Sequence, residues 1–142
     1  MDKKRLFQKV VSFTASFYRV THELTKDAKA DFVTPVQYDI LEFITVNQPV
    51  TPSEISDCLY ISMPNTSREL RKLSEKNLIE KITDSIDKRK QLVRLSKDGE
   101  KMMDEAFALV ESHFLARIKN ASEEDLEEIE RAMDILHRKL YY

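Results

Sequence analysis

Thr51-Pro52-Ser53-Glu54-Ile55-Ser56-Asp57-Cys58-Leu59-Tyr60-Ile61-Ser62-Met63-Pro64-Asn65-Thr66-Ser67-Arg68 is the stretch on which the fold turns. Thr51 to Glu54 form a capping box: a hydroxyl that accepts from an amide three residues on, a carboxylate that reaches back, and a proline in the first turn, where no amide is needed. They open a short helix running to about Tyr60, with Ile55 and Leu59 inward. Ser62 caps another helix, with Pro64 in its first turn. Only Ile61 and Ser62 separate the two helices, the tight connection of a helix-turn-helix.

The helix after that turn carries the chemistry. At about 100° per residue, Thr66, Leu70 and Leu73 share an inward face, and Pro64, Asn65, Arg68, Arg71 and Lys72 share the opposite one. Amide, guanidinium and ammonium groups at the start of an outward-facing helix suit the major groove of duplex DNA. Asn65 matches the adenine edge and Arg68 can form two bonds to guanine. Ser62 and Ser67 are placed for phosphate, assisted by the helix N-terminus. The competing reading is an ordinary solvated surface, and for Arg71 and Lys72 alone it is equally good.

Beyond Lys76, Asn77 tolerates the left-handed conformation that ends helices. Two β-prone runs follow, Leu78–Thr83 and Gln91–Leu95. The segment between them, Asp84-Ser85-Ile86-Asp87-Lys88-Arg89-Lys90, is too long for a two-residue hairpin turn and is expected to project as a flexible loop. Lys88, Arg89 and Lys90 then sit at the tip of a ribbon, where a guanidinium can enter a narrow minor groove. Asp87 is unsuited to phosphate and is expected to pair with and orient Arg89.

The flanks are helical. Leu6, Val10, Phe13, Phe17, Val20, Leu24 and Ala28 predict a long helix over 4–30. Thr34, Pro35 and Gln37 form another capping box, opening a helix with Ile40, Leu41 and Ile44 inward that ends at Asn47-Gln48-Pro49. Ser96 caps a helix to about Lys119, and Ser122 caps a final one. In the final helix Leu126, Ile129, Met133, Leu136 and Leu140 repeat at three and four residues, a coiled-coil-like seam.

Composition narrows the function. The chain has 142 residues, suited to one domain, and its net charge is −2. That value hides a segment over 68–97 with ten Lys/Arg against five acids, while 98–142 carries six against twelve. Local charge, not the total, sets affinity for phosphate. A single glycine argues against glycine-rich phosphate loops. The lone Cys58 excludes an internal disulfide and fits a reducing cytoplasm; it reads better as a small buried hydrophobe than as a sensor. His22, His113 and His137 show no metal-ligand spacing, so no metal and no cofactor is expected. No run is apolar enough for a membrane span, and the basic start is broken by Gln8 and Lys9. Carboxylates sit on solvated helical faces without a paired nucleophile or base, so an enzyme is not expected.

With these residues in hand, the sequence resembles the bacterial MarR (multiple antibiotic resistance regulator) family over nearly its whole length. Thr34-Pro35-Val36-Gln37-Tyr38, Ile61 to Arg68 with Leu70 and Leu73, Asn77-Leu78-Ile79, and Asp87-Lys88-Arg89 followed by Val93-Arg94-Leu95-Ser96-Lys97-Asp98-Gly99 carry the resemblance. The last is the most specific, with an Asp-x-Arg wing and a Ser/Thr-x-x-Gly helix start at fixed separation.

The resemblance implies a mainly α fold with a small β-ribbon wing: a winged helix-turn-helix lobe over 34–96, flanked by dimerisation helices over 1–33 and 97–142. It implies a cytoplasmic transcription repressor that binds a palindromic operator in double-stranded DNA as a homodimer, through residues 64, 65, 67 and 68 and through Arg89 with Asp87. It also implies control by a small phenolic or anionic effector or by a redox event; Phe17, Tyr18 and Tyr38 are the candidate effector residues, with core and interface packing as the competing reading. Three positions depart from the family pattern: Asn65 where Thr is usual, Asn77 where Gly is usual, and Ser56 where a small apolar residue is usual. The reactive cysteine of the peroxide-sensing branch is absent, Val10 standing near its position. A winged-helix protein-interaction module without DNA is the alternative.

Overall fold

Residues 1–28 and 32–142 are described by a computed structural model. The elements run α1 (Lys3–Thr25), α2 (Pro35–Asn47), α3 (Pro52–Leu59), α4 (Met63–Glu75), β1 (Ile79–Thr83), β2 (Gln91–Leu95), α5 (Lys97–Arg117) and α6 (Glu123–Lys139). The chain divides into two compact units, Met1–Val110 and Glu111–Tyr142, with α5 crossing the boundary.

The capping signals read from the sequence are made except in one half of the box at 51–54, where the Glu54 carboxylate accepts from the Thr51 hydroxyl at 3.1 Å and not from the Thr51 amide. Thr34 accepts from the Gln37 amide at 3.2 Å while the Gln37 side chain accepts from the Thr34 amide at 3.1 Å. Thr51 accepts from Glu54 at 3.1 Å, and Ser122 from Asp125 at 3.1 Å. Each such cap satisfies an amide that the helix itself leaves without a partner. The long first helix is shorter than expected. It ends at Thr25, with Lys26 as its cap and 26–28 in a turn; residues 29–30 of the predicted span lie outside the described residues.

In the first unit the core is one apolar cluster. Ile40, Leu41 and Ile44 of α2, Ile55 of α3, Leu70 and Leu73 of α4, Ile79 of β1, Val93 and Leu95 of β2, and Met103 and Ala106 of α5 are all buried there. β1 and β2 are antiparallel, with Ile79 opposite Leu95 and Thr83 opposite Gln91. Val50, between α2 and α3, bridges to Val93: its amide donates to the Val93 carbonyl at 3.0 Å and its carbonyl accepts from the Val93 amide at 2.7 Å. Gln48 adds a side-chain bond, its Oε1 accepting from the Leu95 amide at 2.9 Å. The ribbon is thus tied to the helices at its base.

The only glycine of the sequence is needed where the ribbon meets α5. A Cβ at Gly99 would lie 2.0 Å from the Leu78 carbonyl oxygen. That carbonyl accepts from the Ser96 amide at 3.0 Å, and Ser96 Oγ donates to the Asn77 carbonyl and accepts from the Gly99 amide. Asn77, at φ 60°, adopts the left-handed conformation expected of it and donates to Asp98.

On α1, Leu6, Phe7, Val11, Phe13 and Phe17 are exposed. In the second unit, α6 has no buried residue; Ile129, Met133 and Leu140 of the predicted seam are exposed and Leu126 and Leu136 half-buried. Among the described residues no helix is long and apolar enough to cross a membrane. Cys58 departs from expectation. It is exposed, lying on the far side of α3 from the buried Ser56, at the edge of the face that Ile55 and Ser56 turn inward.

Candidate nucleic-acid interface

Helix α4 is set by its first residues and its apolar stripe. Ser62 Oγ accepts from the Asn65 amide at 3.2 Å, and the Ser62 carbonyl accepts from the Thr66 amide and hydroxyl, both at 2.9 Å. Thr66, Leu70 and Leu73 are buried, as the 100° periodicity requires, and this fixes which face turns outward. Ser62, Pro64, Asn65, Ser67, Arg68, Arg71 and Lys72 are all exposed. Arg68 Nη2 donates to Asn65 Oδ1, one turn earlier. The two side chains expected to read separate bases are therefore joined. Lys72 Nζ lies 3.5 Å from Glu69 Oε1, an ion pair within one turn of α4.

 The side chain of Lys72 thus stays half-exposed beside an acid of its own helix.

The turn before α4 is closed by a residue whose role the sequence did not reveal. Ser56 Oγ donates to the Ile61 carbonyl at 2.6 Å, and the Ser56 carbonyl accepts from the amides of Tyr60 and Ile61. The serine that departs from the family pattern therefore braces the helix-turn-helix connection. Tyr60 makes that turn at φ 54°, left-handed without being glycine.

A second set of contacts holds α4 from behind. Gln37 is buried; its Nε2 donates to Glu69 at 2.9 Å and its Oε1 accepts from Lys76 Nζ at 2.8 Å. Lys76 also donates to the Phe32 carbonyl at 2.7 Å and lies over the Phe32 ring at 5.2 Å. These partners are more than 30 positions apart in sequence, and local patterning carries no signal for them.

The loop between β1 and β2 is more ordered than the flexible segment expected. Asp84 Oδ1 accepts from the amides of Ile86 and Asp87, at 2.7 and 3.2 Å. Its carboxyl is held below the ordinary carboxylate range by the Ile86 amide first and the Asp87 amide second. The Asp84 amide donates to the Lys90 carbonyl, and the Lys90 amide to the Asp87 carbonyl. Asp87 Oδ1 accepts from both the amide and Nε of Arg89, at 3.0 and 3.3 Å, so the expected Asp87–Arg89 pair is present. Lys88, Arg89 and Lys90 are exposed. An aspartate two residues before the amide that donates to it is an Asx-turn signature, and it was legible at Asp84.

Tyr38 is buried in the core, and burial, then Glu42 and Asp39, push its phenol up. Phe17 and Tyr18 are exposed on α1, so the three effector candidates do not share one environment. Among the described residues no group of His, Cys, Asp or Glu is arranged to hold a metal ion.

Residues 33–90 match the MarR family. Staphylococcus aureus MarR in complex with salicylate and kanamycin is 26% identical, with 96% of this chain and 93% of that chain covered and a TM-score of 0.74. A MarR family protein from Bacillus stearothermophilus is 18% identical, with 100% and 99% covered and a TM-score of 0.78. A mutant of S. aureus MepR bound to an oligodeoxyribonucleotide is 22% identical, with 90% and 97% covered and a TM-score of 0.58. No curated protein matches the chain.

Proposed function

We propose, from the premise that this chain belongs to the MarR family, that it is a ligand-responsive repressor that binds a palindromic operator as a homodimer. DNA-binding transcription regulation is supported by the match of residues 33–90 to the MarR family and by the likeness to a MepR mutant bound to an oligodeoxyribonucleotide. The observation that carries the finer reading is the outward face of α4, where Asn65, Ser67 and Arg68 stand at the start of a helix directly after the tight turn. Side chains there reach base edges, while Ser62, Arg71 and Lys72 suit phosphate. Lys88, Arg89 and Lys90 would grip the adjacent minor groove, with Asp87 holding the guanidinium in place.

The dimer is supported by apolar surface that a single copy leaves open. Phe7, Phe13 and Phe17 of α1 and Ile129, Met133 and Leu140 of α6 are each about half-exposed or more. In this reading, 1–33 and 97–142 supply the dimer and 34–96 the DNA-binding lobe. Two-fold symmetry sets recognition helices about 34 Å, or ~10 base pairs, apart, and so asks for a palindrome.

Ligand response is supported by the salicylate-bound S. aureus relative. Phe17 and Tyr18 offer accessible aromatic surface to a phenolic or anionic effector. Tyr38 would meet one only where the core around it opens. An effector releases DNA only by binding a non-binding arrangement of the dimer more tightly.

The test is a footprint on the DNA upstream of the chain's own gene, with affinity followed across salt concentration and with phenolic acids added. A palindromic footprint whose affinity falls steeply with salt is the expected result, because bound cations release counterions. Affinity for DNA that is negligible at low salt would favour the protein-interaction module instead.

A further inference from the structure

Ile86 is 95% exposed at the wing. Isolated exposed hydrophobes are common and by themselves need no explanation. This one differs in two respects. Its backbone is fixed, since the Ile86 amide donates to Asp84 Oδ1 and the loop is closed by the Asp84–Lys90 and Lys90–Asp87 bonds. It also stands within four residues of Lys88, Arg89 and Lys90, all exposed. A loop that only had to carry cations to phosphate would gain nothing from a braced, β-branched apolar side chain beside them.

We propose that Ile86 is a specificity-determining residue that enters the minor groove beside Arg89 and favours A·T over G·C pairs there. The inference rests on the DNA-binding reading above. The cations draw the wing to the groove. Apolar side chains in minor grooves pack on sugars and between base steps. The groove floor of an A·T pair presents only acceptors, whereas guanine adds an N2 amino donor. An isoleucine over that amino group blocks its water and offers no acceptor, leaving a polar group without a partner. The contact therefore selects against guanine without a hydrogen bond to any base.

The experiment uses the full-length protein and a duplex that it selects from a random-sequence pool. Affinities are measured by fluorescence anisotropy for the wild type, Ile86→Ala and Arg89→Ala. The pairs outside each major-groove half-site are set to A·T, G·C or inosine·C, the last removing only the N2 amino group from the G·C form. The wild type is expected to bind A·T and inosine·C alike and G·C about fivefold or more weakly. Ile86→Ala should lose that discrimination, while Arg89→Ala weakens binding to all three duplexes. If Ile86→Ala keeps the wild-type ratio, or the wild type shows none, the role of Ile86 is refuted while the DNA-binding reading stands. If the wild type selects no duplex at all, that reading falls and Ile86 with it.

Discussion

Asn65 and Arg68 stand on the same turn of α4, and in the proposed DNA complex the bond between them would change what each reads. An asparagine that pairs with adenine must both donate and accept; here its oxygen already accepts from the guanidinium. The pair then presents mainly donors, which suits guanine. A double-mutant cycle on a duplex with and without the contacted guanine checks this. Asn65→Ala and Arg68→Ala should be strongly non-additive, with a coupling of about 0.5–3 kcal/mol confined to the guanine duplex; additive losses would mean separate contacts. Gly99 makes a different single-residue prediction. Alanine normally stabilises a helix by about 1 kcal/mol over glycine. At this position the added methyl meets the Leu78 carbonyl, so Gly99→Ala should destabilise by about 1–3 kcal/mol in denaturant unfolding.

At the scale of elements, the helix-turn-helix connection rests on a strained residue and a brace. Left-handed backbone costs a non-glycine residue roughly 1 kcal/mol, and Tyr60 bears that cost. Tyr60→Gly should raise the unfolding free energy by about 0.5–1 kcal/mol, and Ser56→Ala should lower it by a similar amount through loss of its bond to Ile61. Thermal unfolding of both variants checks the opposite signs. The wing has its own pH signature. Asp84 titrates below its ordinary value of 3.8. Its bracing is therefore fully present above that value and is lost as pH falls through the lower, folded value. Amide exchange at Ile86 and Asp87 should stay protected at neutral and mildly acidic pH and speed up only in strong acid.

For the molecule as a whole, the apolar surface left open on α1 and α6 calls for a partner, and a second copy is the proposed one. Met133 is 63% exposed and sits on the half-exposed stripe of α6. Met133→Glu should leave helix content unchanged, shift the sedimenting species to a monomer, and weaken binding to a two-half-site duplex far more than to a single half-site. An unchanged sedimentation coefficient would remove α6 from the interface.

Much of this was legible along the chain. Capping residues, the 100° stripe of α4 and the short turn at 61–62 are local, and local sequence decides them because each involves partners within four positions. The Asp87–Arg89 pair was readable for the same reason. Other features needed the folded chain. Gln37 meets Glu69 and Lys76, Gly99 lies against Leu78, and Ser56 turned out to be a brace, because these depend on which distant backbones the core brings together. Sequence alone determined the order of elements and the face that α4 turns outward, since periodicity and caps act within one helix. Only the tertiary structure decided that Cys58 is exposed, that Tyr38 is sealed in the core, and that the wing holds its shape, since packing and closed hydrogen-bond rings exist only once separate segments have met.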